Sequence, residues 1–377
     1  AEKIKSLQVT GEVTMQAQMV RSYVDAMAKE VQNKVMWIQR RANEFLTTGN
    51  ENLVGEQWNG IYQQISNIGA GAGNIHTSLE NYHSQEYVID LRGASLKQEN
   101  VEAAGVIVDK FYGTPTHLFS TTQVISALAQ DYYSDQRILL DGAKAAQGVF
   151  GIVPKVSTTT MGDIALMGDK FMTKGAPKTI AGASADSSKA PVAPVAGANP
   201  ALASDTLAKF VSADAGTTRY AVSAINRYGE SALTLLGAAD ITVTVGSAID
   251  LTFTAGTGGS YAATAYRIYR TKKNVASTGN FYPLFDIATS ELAAGYDGAA
   301  ALSVRDRGRV LPDTESAFLC EMSDDVMAFK QLAPVSKLDL AVLSMSRRFI
   351  TFLFATPQVY APKKIVKFIN VGKALTA

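Results

Sequence analysis

The sequence predicts a mixed α+β chain whose body is interrupted by an inserted all-β sandwich. Three observations predict it. Residues 12–47 have helical periodicity with no Gly or Pro, 175–204 are dominated by Ala, Ser, Pro and Gly, and 205–312 hold period-two apolar runs divided by glycine turns. On this basis residues 1–11 form an amino-terminal arm, 12–174 the first part of the body, 175–204 a linker, 205–312 the insertion and 313–377 the return to the body. An insertion is tolerated where its two ends lie close together on the surface.

Composition sets the outer bounds. A chain of 377 residues allows two or three domains. With 47% hydrophobic and 18% charged side chains it belongs with folded globular chains, not disordered ones. A net charge of +1 leaves no broad basic field to neutralise phosphates, which argues against tight nucleic-acid binding. The single cysteine, Cys320, excludes an intrachain disulfide framework and a multi-thiolate metal site, and suits assembly in a reducing cytosol. No apolar run reaches membrane-spanning length, and Ala1-Glu-Lys-Ile-Lys5 lacks the apolar core of a signal peptide. Neither a membrane-embedded chain nor one secreted by that route is expected.

The arm is short, polar and alternating, with little core of its own. Over 12–47, Val20, Val24, Met27, Val31, Val35, Ile38, Ala42 and Phe45 recur at steps of three and four. Arg21, Asp25, Lys29, Gln32, Arg40 and Arg41 occupy the opposite side. At 1.5 Å per residue the helix is about 50 Å long, and Thr48-Gly49-Asn50 offers a left-handed stop. A dimeric coiled coil is the alternative for such a stripe, although the pattern ends after about four heptads. Gly69-Ala-Gly-Ala-Gly73 reads as a flexible turn. A phosphate cradle needs a strand before it and a helix opening after it, whereas a helical segment precedes this run and polar residues follow.

Residues 87–172 organise the body. Tyr87-Val-Ile-Asp-Leu-Arg-Gly93 is an extended run closed by glycine. Ser95 and Gln98 have the spacing of a capping box, and Val101, Ala104, Val108 and Phe111 continue as a helix that the Tyr112-Gly-Thr-Pro115 segment stops. A short apolar run, His117-Leu-Phe119, leads to a second helix over 121–133, with Val124, Leu128 and Tyr132 on one side. Strands are expected over 137–140, 149–153 and 162–172.

The sequence offers no convincing catalytic or metal constellation. His76, His83 and His117 form no His-Glu-x-x-His pattern and no cluster with carboxylates. Ser184, in Gly182-Ala-Ser-Ala-Asp186, lacks the second glycine of a nucleophile elbow. Asp324 and Asp325 are adjacent, so they point apart on a helix or strand. No catalytic, cofactor-binding or metal residue is assigned, no cofactor is implied, and the chain is not expected to be an enzyme.

In the insertion, strands are expected over 219–226, 241–245, 249–254, 264–270 and 282–287, separated by Gly246, the 256–259 turn and Gly279-Asn280. Short strands at that spacing predict an antiparallel sandwich. Tyr220-x-Val-x-Ala-x-Asn226-x-x-Gly229-x-Ser231 resembles the late strand and turn of a fibronectin type III domain, and Tyr266-Arg-Ile-Tyr-Arg270 resembles one of its middle strands. The two occur in the opposite order here, so the resemblance is to a rearranged or Ig-like sandwich. In the return, strand-like segments fall at 324–329, 338–343, 349–354 and 365–371, with Pro357 and Pro362 breaking the last pair.

The order Asp90-Leu-Arg-Gly93, Tyr112-Gly-Thr-Pro-Thr-His-Leu-Phe-Ser120 and Gly162-Asp-Ile-Ala-Leu166 resembles the major capsid proteins of tailed bacteriophages, which have the HK97-like fold. Gln331-Leu-Ala-Pro-Val-Ser-Lys-Leu-Asp-Leu340 and Ala361-Pro-Lys-Lys-Ile-Val-Lys-Phe-Ile-Asn-Val-Gly372 extend that resemblance. It implies that residues 12–47 are the spine helix, that the body divides into A and P domains, and that the Ig-like insertion faces outward. It further implies self-assembly into hexamers and pentamers of an icosahedral shell around double-stranded DNA, in the virion, after assembly in the host cytoplasm. Portal and decoration or minor capsid proteins are the implied partners, with no membrane. The extended loop usual before the spine helix has only about ten residues available, so contacts of that loop and covalent crosslinks are not carried over. Under the resemblance, Ala1 is open to two origins, initiator-methionine removal or cleavage by a maturation protease. A tail or adhesin-type binding protein, holding host glycan or receptor with its sandwich, is the alternative function.

Overall fold

The computed structural model describes residues 3–20, 25–66, 87–135, 155–158, 162–170, 172, 175–182, 184–275, 279–341 and 345–373. The Gly69–Gly73 run, His76, His83 and the strands expected over 137–140 and 149–153 lie outside the described residues. The architecture is mixed α+β, in two compact units. One comprises residues 1–51, 55–65 and 323–362, and the other 52–54, 66–322 and 363–377.

The first unit is a three-stranded antiparallel sheet with one long helix. Its strand order is β1 (Lys5–Thr14), β17 (Ser346–Val359), β16 (Met327–Asp339). The arm is therefore a ten-residue strand, paired from Lys5 opposite Ala355 to Thr14 opposite Ser346. The expected helix over 12–47 starts later. A short helix α1 (Met15–Met19) follows β1, and the long helix α2 spans Ala26–Thr48. Thr14 and Asp25 explain both starts, because each accepts a backbone N–H from the first turn, Ala17 at 3.3 Å and Met27 at 2.9 Å. Ile38, Ala42 and Phe45 of α2 pack with Leu7, Val9, Leu353, Ala355 and Trp58 in one apolar cluster.

The helix stops at Gly49, but not by the left-handed turn expected there, since its φ is −57°. Closeness requires the glycine instead. A Cβ at this position would lie 2.5 Å from the carbonyl oxygen of Trp58 and 2.6 Å from that of Phe45. Pro357 is another departure, as it lies within β17 and not at a break. Pairing with β1 ends at Ala355, so the missing N–H of Pro357 costs no ladder bond on that side.

The second unit holds a six-stranded mixed sheet and a sandwich. The sheet order is β2 (Val88–Asp90), β18 (Ile365–Gly372), β15 (Thr314–Cys320), β3 (His117–Ser120), β5 (Gly162–Gly168), β4 (Lys155–Thr158). Helices α4 (Gln98–Lys110) and α5 (Thr122–Asp135) accompany it, whereas the earlier helix α3 (Ile61–Ser66) belongs, but for its last residue, to the first unit. The capping box expected at Ser95 and Gln98 does not form. The cap residue is Lys97, with no side-chain bond, and the Gln98 amide donates to Glu102 Oε1 at 3.1 Å. Val101, Ala104 and Val108 are fully buried, as their spacing predicted.

In the sandwich, β8 (Gly216–Asn226), β9 (Gly229–Glu230), β10 (Thr234–Val243), β12 (Ala265–Thr271) and β13 (Phe281–Ala288) make one sheet. β6 (Val195–Ala196), β7 (Ala201–Ser204), β11 (Ser247–Thr254) and β14 (Ser303–Asp306) make the other. Val222, Ala224, Leu236 and Ile268 from the first meet Ile249, Leu251, Phe253 and Val304 from the second in one buried cluster. Residues 175–204 are not only a linker. Val195 and Ala196 pair with Thr254 and Phe253, and 201–204 pair with 247–250. The unpaired edge of β11 offers backbone groups, and small side chains meet no steric objection in accepting them.

Candidate assembly surfaces

Strand β16 is the most unusual surface in the first unit. It is thirteen residues long, it lies at the edge of its sheet, and none of its residues is buried. Leu332 is 73% exposed and Leu338 56%, and Met345 beyond its end is 71% exposed. Over about 43 Å such an edge presents a row of unpaired backbone groups beside apolar side chains, which ordinarily invites pairing with another chain. Three devices restrain indiscriminate pairing. Register shifts interrupt the ladder at residues 331–336, Pro334 removes a donor, and Lys330 and Lys337 place charge along the strand. Helix α2 is similarly open, burying only Ile38 and Thr47 and leaving Met36 and Trp37 exposed. Met36 and Trp37 together make a small apolar patch, of the kind an assembly can cover, on an otherwise polar exposed side.

The second unit has a polar joint between the sandwich and the six-stranded sheet. Arg92 follows β2 in a left-handed backbone conformation with φ of 48°, and its guanidinium donates to the carbonyls of Gly308 at 2.8 Å and Lys209 at 2.7 Å and to the Asp214 carboxylate. Asn370 of β18 donates to the carbonyl of Arg309 and accepts from the backbone N–H of Leu311, both at 2.8 Å. Asp313 accepts from Lys272 at 2.6 Å and Lys373 at 2.9 Å. Burial alone would raise the Asp313 carboxyl, but the two lysines outweigh it and hold it below its ordinary value. A cleft of about 340 Å³ lies here, lined among others by Arg270, Lys272, Lys273 and Lys373. Its cations all face an acceptor: Arg270 meets Asp306 at 2.6 Å, Lys373 meets Asp313 and Glu315, and Lys273 donates to the carbonyl of Ala213. The charges are balanced within the joint, which makes it a structural seam and a poor anion site.

The residues weighed for chemistry are dispersed. His117 lies on β3, its Nδ1 2.9 Å from Thr116 Oγ1 and its ring stacked on Phe119. Asp186 accepts the backbone N–H of Glu230 and faces Lys178 at 3.8 Å, while Ser184 is exposed. Asp324 and Asp325 sit exposed in the turn before β16. Cys320 is buried, and burial pushes its thiol up to about 12. Among the described residues no group of three His, Cys, Asp or Glu side chains could hold a metal ion, and no helix is long and apolar enough to cross a membrane. The joint did not stand out in the sequence, nor did the continuity and edge position of β16. The sequence marked only the two ends of β16, as strand-like segments at 324–329 and 338–343, because the 332–337 middle with Pro334 breaks period two.

No protein-family model matches the chain. Over 308 residues it is 25% identical to a protein of Enterococcus phage phiEF24C described as "Putative major capsid protein". The chain is similar to a phage major capsid protein. The match covers 81% of this chain and 63% of that relative's length. The description of that relative is of the same class as the resemblance carried by the residues. Two solved structures are also similar. The holo-SrpI encapsulin complex from Synechococcus elongatus PCC 7942 matches with a TM-score of 0.38 and 8% identity, over 99% of this chain and 76% of that one. The cyanophage Pam1 capsid asymmetric unit matches with a TM-score of 0.40 and 7% identity, over 99% and 76%.

Proposed function

We propose that this chain is the shell-forming subunit of a tailed double-stranded DNA phage. In this reading copies assemble into hexamers and pentamers of an icosahedral capsid of HK97-like fold, residues 12–174 and 313–377 build the wall, and 205–312 form an outward Ig-like domain. The observation that carries it is the likeness to the phiEF24C capsid protein across 81% of the chain. The surfaces agree with it physically. A shell subunit presents the same complementary edges many times over, so its specificity lies in extended strands and helices and not in a pocket. The open length of β16 and the exposed Met36 and Trp37 of α2 are surfaces of that kind. A net charge of +1 suits a wall that encloses DNA without gripping it. Portal and decoration proteins are the partners of this role, the virion its location and the host cytoplasm its assembly site.

The test is electron microscopy of the purified protein with light scattering alongside. Closed icosahedral particles bearing surface knobs are expected. Monomers or open oligomers under every assembly condition, including added divalent cations and crowding agents, would overturn the reading in favour of a binding protein that acts through its sandwich.

A further inference from the structure

We infer that Lys189, Arg227, Tyr228 and Tyr261, at one end of the sandwich, form a binding site for an acidic saccharide. The rings of Tyr228 and Tyr261 lie 5.4 Å apart at 70°, making a corner between two aromatic planes. The guanidinium of Arg227 lies over the Tyr228 ring at 4.6 Å and also donates to its hydroxyl, and Lys189 Nζ lies 5.4 Å from the same ring. Tyr228, Arg227 and Lys189 are exposed, and the loop carrying Tyr261 adds the exposed hydroxyls of Thr257 and Ser260.

The site is held from beneath by Asn226, which is buried. Its Oδ1 accepts the backbone N–H groups of Tyr228 at 2.8 Å and Gly229 at 3.2 Å, and its amide donates to the carbonyl of Lys189 at 2.9 Å. One side chain therefore fixes the turn that carries Arg227 and Tyr228 and the separate segment that carries Lys189. The Ser187 hydroxyl, donating to the carbonyl of Tyr228 at 3.0 Å, adds a second tie. Solvent-facing aromatics and cations fixed by a buried polar residue are preorganised, so little ordering cost falls on binding.

The chemistry selects the ligand. A pyranose ring has an apolar C–H face that packs on an aromatic plane, and the touching, non-parallel rings of Tyr228 and Tyr261 offer a platform the size of one sugar rather than the series of parallel planes that stacked bases need. Two cations beside the rings match a carboxylate or other anionic substituent, and the hydroxyls match the ring oxygens. Two cations are too few for a nucleic-acid tract, whose affinity grows with the number of phosphates neutralised.

The experiment is titration of the full-length protein, followed by saturation-transfer NMR and calorimetry. The probes are 3′-sialyllactose and a hyaluronan tetrasaccharide, with lactose and maltotetraose as neutral counterparts and a thymidine octanucleotide as the nucleic-acid control. Saturable binding of the acidic sugars is expected, weakening as salt is raised. The pair Arg227→Glu with Lys189→Glu, and separately Tyr261→Ala, should each weaken it by about tenfold or more, the size of one lost stacking or ionic contact. Both charge changes remove a cation from the Tyr228 ring at an exposed site, so the thermal midpoint should fall by only a few degrees, about the size of two exposed cation–π contacts, with the fold retained. The inference is overturned if no acidic sugar binds, if neutral sugars or the oligonucleotide bind as well, or if binding survives both sets of substitutions. Particle formation is a separate readout, so failure here leaves the shell reading untouched.

Discussion

Trp58 shows how small the core of the first unit is. Only 1% exposed, it lies edge-on to Phe45 at 6.3 Å and to Phe329 at 5.7 Å, and so joins the end of α2, the loop after it and β16. Trp58→Ala should cost about 3–5 kcal/mol, the usual loss for a large buried aromatic. Circular dichroism during urea unfolding measures it. In the other unit Cys320 is a clean reporter. Its buried thiol is pushed up to about 12, so the folded chain keeps a proton that the unfolded chain releases near the ordinary thiol value of about 8.5. Its contribution to stability is complete below that ordinary value and is lost as pH rises towards 12. Iodoacetamide at neutral pH should leave Cys320 unmodified in the native protein and label it once denaturant is added, as read by mass spectrometry.

Among the elements, β16 and the joint make opposite demands. The exposed leucines of β16 contribute little to the isolated fold, so Leu332→Lys with Leu338→Lys should change stability by no more than about 0.5 kcal/mol per site. The same pair should abolish assembly in light scattering, because each copy would set charge into an apolar contact. Arg92 is the reverse case, with its contacts satisfied within the chain. Arg92→Ala leaves the carbonyls of Gly308 and Lys209 and the Asp214 carboxylate without this donor, at a cost of about 1.5–3 kcal/mol. Faster proteolysis across residues 205–312 at unchanged secondary structure is the expected sign.

At the level of the whole molecule, stability is unevenly distributed. The sandwich and six-stranded sheet supply most of the large buried side chains, while the first unit rests on a small cluster and two open elements. Hydrogen exchange should therefore be fast along β16 and α2 in dispersed subunits and become strongly protected in assembled particles, whereas β8, β12 and β15 should be protected in both. Equal exchange of β16 in the two states would argue that this edge faces solvent in the shell.

Local periodicity by itself determined the segments whose pattern survives burial. The helix over 98–110 and strands β8, β11, β12 and β13 fall close to where spacing put them; the helix has one covered face, while β8 and β12, buried on both faces, were legible because small or polar residues such as Ser223 and Arg267 alternate with large apolar ones. Sequence alone also set the α+β class. Where both faces are covered without such alternation, the period vanishes. All seven residues of β15 are buried, Thr314, Glu315 and Ser316 included, so no period marked it as a strand. Partners distant in the chain decided the rest. β1 became a strand because β17, more than 330 residues later, offers it an edge. Ala-rich 195–204 joined the sandwich for the same reason at β11. Tyr228 and Tyr261 became neighbours only when their loops met at one end of two packed sheets. Backbone hydrogen bonding between remote segments carries no local pattern, so only the tertiary structure could decide which edges were paired and which were left open.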